Sequence, residues 1–139
     1  MLTFHTEDID FELANAKKTE AWILQAIENE AGTLSFINYI FCSDTYLHRI
    51  NVEYLNHDTY TDIITFPYSD ETIESDIFIS IDRIRENAKT FDVPFEQELH
   101  RVIIHGVLHL LGYGDKSEEE QQKMRAREDF WLKKRKSIL

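Results

Sequence analysis

The segment at residues 95–111 reads FEQELHRVIIHGVLHLL, a helical pattern with apolar side chains on nearly every face. Pro94 precedes it and Gly112 follows it, which are residue types favoured at the first turn and just past the end of a helix. Because such a helix must be covered on most sides, the sequence predicts a central, buried helix over these residues.

Two histidines of this helix are spaced to face the same way. His105 and His109 are four residues apart, about 400° around a helix, so both rings can reach one metal ion. After the helix, Gly112 and Gly114 allow the chain to reverse, because glycine tolerates positive φ. Asp115 can then fold back toward the ion. The pattern predicts a metal site of three protein ligands, His105, His109 and Asp115, with a fourth position open for water.

An alternative without a metal is open for each of these residues taken singly. The histidines could be core residues with satisfied hydrogen bonds, and Gly112 could be an ordinary helix cap. Taken together they favour a metal, because a buried neutral imidazole is costly unless it is hydrogen-bonded. Gly106, inside the helix, costs roughly 1 kcal/mol relative to alanine. Close approach of another backbone or of a ligand would explain it.

Composition limits the class of protein. The 139 residues suit one domain spanning 1–139, and 42% apolar residues are enough to build its core. No apolar run approaches the ~18 residues of a membrane span, and acids stand where a secretory signal needs basic residues. Cys42 is the only cysteine, which is typical of a reducing cytosol. We expect a cytoplasmic protein without a membrane partner.

The charges are unevenly distributed. The net charge of −11 argues against nonspecific coating of nucleic acid, because phosphates favour Lys and Arg. Basic residues nevertheless crowd the C-terminal end: Lys123, Arg125, Arg127, Lys133, Lys134, Arg135 and Lys136. This region could steer a ligand or form an ordinary solvated helix face.

The patterns before the central helix predict one helix, several strands and a short helix. A helical stripe over residues 17–31 ends at Gly32 and comprises Ala21, Trp22, Ile23, Ala26 and Ile27. Runs of β-branched and aromatic residues predict strands at residues 34–42, 63–66 and 77–81, with an edge strand at 2–5 and a short helix at 44–54.

Two further helices flank the central one. A helix from Asp82 is predicted to bury Ile84, Ala88 and Phe91. The capping box of Ser117 and Glu120 opens a last helix that packs Met124, Phe130 and Trp131. This order of elements predicts an α+β fold with a mixed sheet and helices mostly on one side.

The spacing of the metal residues matches the zinc-protease pattern His-Glu-x-x-His-x-x-Gly-x-x-His, with two differences. One is Asp115 in place of the last histidine. The other is Gly106, which stands where those proteases have the glutamate that acts as general base. Peptide hydrolysis by that mechanism is therefore not expected, although a metal could still polarise a phosphoryl oxygen.

The same segment resembles the YbeY-type rRNA-maturation endoribonucleases, whose signature is His-Gly-x-Leu-His-Leu-x-Gly-Tyr-Asp-His. The matching residues are His105, Gly106, Leu108, His109, Leu110, Gly112 and Tyr113. Residues 61–67, TDIITFP, and 75–80, SDIFIS, resemble the family's Thr-Asp-Val-Leu-Ser-Phe-Pro and Gly-Asp-Ile-x-Ile-Ser. Met124 and Glu128 also fall on family positions, so the resemblance covers residues 51–132.

This resemblance implies a fold, an activity and partners. The fold would be a roughly four-stranded mixed sheet with packed helices, similar to the zinc-protease core. The activity would be metal-dependent cleavage of single-stranded ribosomal RNA at the 3′ end of the small-subunit rRNA, together with ribosome quality control. One zinc ion per chain would be held by His105, His109 and Asp115. The implied partners are the small ribosomal subunit and an assembly GTPase.

Two positions depart from the family pattern. The family's third metal-binding histidine aligns with Asp115, whose carboxylate also binds zinc but adds negative charge. Leu55 stands where the family usually has an arginine thought to contact RNA, and leucine cannot replace a guanidinium. Either Lys116 substitutes for that cation or catalysis is weaker than in the family.

The remaining candidates leave the chemistry open. No general base is evident. Glu98 lies seven residues before His105 on nearly the same helix face, so it is a candidate for orienting an imidazole, or else a core or capping residue. Asp62 is either functional or an Asx-turn residue. Two other functions are a non-cleaving ribosome-biogenesis factor with a structural metal, and a metalloprotease-like hydrolase, which Gly106 disfavours.

Overall fold

A four-stranded mixed sheet organises the fold, as the sequence predicts. The computed structural model describes the backbone of residues 1–138 and the side chains of residues 1–135. The strands lie in the order β1-β2-β4-β3, in which β1, β2 and β4 are parallel and β3 is antiparallel to β4. The elements are β1 (Leu2–Thr6), α1 (Ala16–Asn29), β2 (Leu34–Cys42), α2 (Asp44–Leu55), β3 (Ile63–Pro67), β4 (Ile73–Ser80), α3 (Ile81–Phe91), α4 (Phe95–Leu110) and α5 (Glu118–Ile138). This confirms the α+β class.

The helices lie mostly on one face of the sheet. Because side chains alternate along a strand, Ile77 and Ile79 of β4 face the main core, whereas Phe78 faces the other side. The main core includes residues of α1, α3, α4 and α5, whereas Leu47 and Ile50 of α2 cover the opposite face. In the described part of the chain, no helix combines the length and apolar character needed to cross a bilayer.

The central helix α4 lies directly on the sheet. Its buried apolar residues are Leu99, Val102, Ile103, Ile104, Val107 and Leu108. A Cβ atom at Gly106 would lie 2.9 Å from Cδ1 of Ile63 and 3.3 Å from Cδ1 of Ile77. The close approach at Gly106 is therefore made by side chains of the sheet and not by a backbone. It brings His105 beside the start of β3.

Some predicted burial and element ends were wrong. Phe91 is 58% exposed and Phe130 is 38% exposed, because each side chain projects beyond the core. Ala21 is also exposed. Ile81 begins α3 instead of ending a strand, because the Ser80 hydroxyl accepts a hydrogen bond from the Arg83 backbone N–H and caps the helix there. Strand β4 begins at Ile73, four residues before the predicted start.

The end of α1 also differs from the prediction. Ala31, not Gly32, has the left-handed conformation, with φ of 61°. Gly32 has a different reason to be small, because a Cβ atom there would lie 2.5 Å from Cδ2 of Leu111. This glycine lets the end of α1 approach the end of α4.

Candidate active site

A cleft of about 490 Å³ lies between α3, α4, α5 and the start of β3. Four carboxylates line it, whereas its cations are two guanidinium groups: Asp62, Glu98, Asp115 and Glu128 against Arg101 and Arg125. Because the carboxylates outnumber the guanidinium groups, the cleft attracts a cation and repels a phosphate. The cleft therefore suits a bound cation.

The ring of His105 is held by a carboxylate on the neighbouring helix. Its Nδ1 lies 2.7 Å from Oε2 of Glu128, whose other oxygen accepts a hydrogen bond of 2.8 Å from Arg101. Arg101 also donates to Asp129 at 2.6 Å. Burial lowers the pKa of His105, but the hydrogen bond and charge of Glu128 outweigh it, so the pKa is raised. This bond uses Nδ1 and leaves Nε2 facing the cleft.

A turn after α4 brings Asp115 to that free nitrogen. Gly112 has φ of 108°, a conformation that favours glycine, and it reverses the chain as predicted. Oδ2 of Asp115 then lies 3.5 Å from Nε2 of His105. An imidazole nitrogen and a carboxylate facing each other at this distance are donors suited to one divalent ion.

Gly114 contributes to the turn in another way than predicted. Among the described residues, Gly112 is the glycine with positive φ, and Gly114 is not. A Cβ atom at Gly114 would collide with the carboxylate of Glu120. That carboxylate accepts a 3.0 Å hydrogen bond from the Ser117 backbone N–H, and the Glu120 N–H donates to the Ser117 hydroxyl. The predicted capping box is therefore present and needs a glycine beside it.

His109 is not drawn into the cleft with the other two predicted ligands. Its side chain is exposed and makes no hydrogen bond among the described residues. Within this part of the chain, no three His, Cys, Asp or Glu side chains converge closely enough to form a metal site. The structure thus brings together His105 and Asp115, while His109 lies one helical turn away.

Comparison with known proteins identifies the family. The sequence model described as endoribonuclease YbeY matches residues 1–136. The chain belongs to the YbeY family. A protein named endoribonuclease YbeY from Flavobacterium psychrophilum is 52% identical over 134 residues, which cover 96% of this chain and 95% of that one. One from Amoebophilus asiaticus is 48% identical over 131 residues, covering 93% and 89%.

A solved structure supports the same conclusion. The solution structure of TM1509 from Thermotoga maritima has a TM-score of 0.68 and 27% sequence identity, covering 97% of this chain and 89% of that one. The resemblance seen in residues 51–132 is confirmed and extends over nearly the whole sequence. YbeY proteins are generally metal-dependent, in agreement with the donors in the cleft.

Against this family background, the other predicted residues occupy different places. Glu98 is 5% exposed and lines the cleft, but Glu128, not Glu98, holds the ring of His105. Asp62 also lines the cleft. Burial raises the pKa of both carboxyl groups, and for Glu98 the charge of Asp62 adds to the effect. Lys116 and Leu55 are not among the lining residues of the cleft.

Sequence analysis did not place several residues at the cleft. Arg101 lines it without a predicted site function, and Phe91 was expected only to be buried under its helix. Arg125 also lines it, and the sequence offered this residue only as part of a basic region that could steer a ligand or form a solvated helix face. A signal for the α5 side was present, since residues 121, 124, 125 and 128 follow the spacing of one helix face. Which helix that face meets depends on the packing of α5 on α4, and this is a tertiary property.

Proposed function

We propose that this chain is a zinc-dependent endoribonuclease that cleaves single-stranded RNA during ribosome maturation. The observation that supports it is the His105 ring, fixed by Glu128 with its free nitrogen toward Asp115 in a cleft. The relatives named endoribonuclease YbeY support the reaction class. We place the whole activity in one domain, residues 1–139.

One zinc ion would be held by His105, His109 and Asp115. Nε2 of His105 and Oδ2 of Asp115 already face each other across the position where the ion would lie. The ring of His109 makes no hydrogen bond with any described residue that would hold it in another orientation. Neutral imidazoles and a carboxylate suit zinc, and a carboxylate on the remote nitrogen of a ligating histidine is a common support. The acidic lining of the cleft favours a divalent cation over an empty site.

The bound zinc would supply Lewis-acid stabilisation of the charge that develops on the scissile phosphate. The chain's own residues would hold the metal ligands in place and transfer protons. Glu128 fixes the His105 ring, and Arg101 fixes Glu128, so the ligand needs no reorganisation. Glu98 is a candidate for proton transfer at its carboxyl oxygens, because burial raises its pKa toward neutrality.

The endoribonuclease names of the relatives support a proposal for the substrate and partners. We propose the 3′ end of the small-subunit rRNA as the site of cleavage, with ribosome quality control as a related role. The small ribosomal subunit and an assembly GTPase would be the partners, and the cytoplasm the location. The single thiol, Cys42, is buried and free, which suits a reducing compartment.

Cleavage of a precursor transcript tests the proposal. A transcript that contains the small-subunit 3′ end is incubated with zinc-loaded protein, and products are resolved by length. We expect endonucleolytic cleavage by the wild type and its loss in His109→Ala. His57→Ala is a matched control, because His57 is an exposed histidine that is not among the residues lining the cleft. Equal cleavage by both variants would contradict the proposed ligand set.

A second function is favoured by one observation. Leu55 replaces the arginine of the family, and the net charge of −11 weakens RNA attraction. A ribosome-biogenesis factor with a structural metal would bind its target without cutting it. Protein that contains one zinc per chain, binds the small subunit and leaves the precursor intact would support this alternative over the nuclease.

A further inference from the structure

An exposed aromatic ring lies at the cleft without a packing reason. Phe91 is the last residue of α3 and is 58% exposed, although Ile84 and Ala88 of the same helix are buried. It lines the cleft together with His105 and Asp115. Among the described residues, no other aromatic ring stacks on it. A single exposed ring is ordinary on a protein surface, but this one borders a cleft that is otherwise lined mostly by polar and charged side chains, where its face is open to a planar ligand.

A guanidinium group without a hydrogen-bond partner lines the same cleft. Arg125 lies on the α5 face that carries Glu128, and its charge acts on Glu98 across the cleft, but it makes no ion pair within 4.0 Å and no hydrogen bond in the described part of the chain. Arg101, the other cation of the cleft, is committed to Glu128 and Asp129. Arg125 is therefore available to an incoming anion, whereas Arg101 has a structural role.

A carboxylate adds to the polar lining of the cleft. Glu98 is 5% exposed as a residue, lines the cleft and accepts no hydrogen bond from any described residue. Its oxygens are not among the described side-chain atoms that are buried without a partner, so they reach the open space of the cleft. They can therefore accept hydrogen bonds from the hydroxyl or amino groups of a ligand.

We propose that Phe91 and Arg125 form a nucleotide subsite, in which Phe91 stacks an unpaired base of single-stranded RNA and Arg125 binds a neighbouring phosphate. The inference rests on the proposed function, because it names how the same cleft takes its substrate. Base–aromatic stacking tolerates every base, so the subsite selects single strands without selecting a sequence. It also gives the chain a phosphate contact in place of the arginine that Leu55 replaces.

Binding of an RNA that cannot be cut isolates this step from catalysis. A labelled 12-nucleotide 2′-O-methyl RNA is titrated with zinc-loaded full-length protein, and the dissociation constant is measured by fluorescence anisotropy at several salt concentrations. We expect Phe91→Ala to weaken binding by about 5- to 150-fold, while Phe91→Trp retains it. Arg125→Gln should weaken binding and lower the salt slope by about 0.7.

Two matched variants control for general loss of aromatic surface and of charge. Tyr54→Ala removes a ring that is 70% exposed on α2, away from the cleft lining. Lys123→Gln removes a charge on α5 that pairs with Glu119. Both should bind RNA like the wild type. Thermal midpoints of all variants are measured alongside, and those of Phe91→Ala and Arg125→Gln should match the wild type because both side chains border open space.

The outcomes separate this inference from the proposed function. If the wild type binds and cuts RNA while Phe91→Ala and Arg125→Gln bind unchanged, the subsite is wrong and the nuclease stands. If Lys116→Ala, and not Arg125→Gln, lowers the affinity and the salt slope, the phosphate contact is also misassigned. If both cleft variants weaken binding but no RNA is cut, the subsite stands and the nuclease falls. Absence of RNA binding by the wild type overturns both.

Discussion

Nδ1 of His105 on α4 and Oε2 of Glu128 on α5 are joined by a hydrogen bond of 2.7 Å. The bond fixes both the tautomer and the orientation of the imidazole, because a carboxylate can only accept. The nitrogen left over faces Asp115 across 3.5 Å. The geometry of the candidate metal site therefore depends on a helix that contributes no proposed ligand.

Removal of the negative charge of this acceptor should weaken metal binding without removing a ligand. Glu128→Gln is expected to lower zinc affinity by about 10- to 100-fold, the usual effect of losing a carboxylate behind a ligating histidine. Competition with a chromophoric chelator measures the affinity. Asp129→Asn is the matched control, because Asp129 binds the same Arg101 but does not touch His105. Equal affinities for both variants would show that the Glu128 contact is incidental.

Substitution of Asp115 should decide the third ligand. Protein purified without chelator is expected to contain one zinc per chain by elemental analysis, and Asp115→Ala should lose most of it. Asp115→His, which places the family's usual ligand at this position, should retain the metal. Retention of zinc by the alanine variant would remove Asp115 from the ligand set.

The buried His100 should make the protein less stable in mild acid. Burial, followed by the charge of Arg135, lowers the pKa of His100 to about 4 from 6.5. The unfolded chain takes up a proton as the pH falls through 6.5, whereas the folded chain does not, so stability falls between these values. From pH 7.5 to pH 5 the loss is about 2 kcal/mol for this group.

Urea denaturation at the two pH values measures this loss. His100→Gln carries no titrating ring, so its unfolding free energy should fall by about 2 kcal/mol less than that of the wild type over the same interval. His57→Gln, which changes an exposed histidine, should fall as much as the wild type. The prediction fails if the two variants have the same pH dependence.

At two residues with positive φ, glycine should give a more stable fold than alanine. Gly112→Ala forces a Cβ atom onto a residue with φ of 108° and should destabilise the fold by about 1–2 kcal/mol, although no atom lies within 4 Å of that Cβ. Ala31→Gly relieves a residue with φ of 61° and should stabilise it by about 0.5–1 kcal/mol. Denaturation midpoints test both, and a shift of the same sign in each variant would contradict this explanation.

Most of the fold could be predicted because the local signals agree with the tertiary structure. The strand at Leu34–Cys42 and the helix at Phe95–Leu110 both have strong apolar patterns. The helix begins directly after Pro94, where the sequence predicts its start. The first four residues of β4, Ile73 to Asp76, were missed because three of them are polar and interrupt the apolar run that the prediction relied on. Among them, Asp76 accepts hydrogen bonds from Asn38 and Tyr68.

The candidate site was predictable only where its residues are close in sequence. His105 and Asp115 are linked by one helix end and one turn, so their proximity follows from local geometry. The contact between His105 and Glu128 spans 23 residues and depends on how α5 lies on α4. Glu98 lies on the same helix face as His105 and was therefore a candidate for orienting its ring. Helical spacing alone does not show that a carboxylate from another helix makes this hydrogen bond instead.

The dependence of His105 on Glu128 has a consequence during protein synthesis. Translation proceeds from the N terminus, so α4 is synthesised before the carboxylate that orients its histidine, which lies 23 residues further along the chain. A nascent chain halted between the two would hold an imidazole free to rotate. The cutting machinery of this protein is thus assembled late, after the ribosome that makes it has finished translating α5.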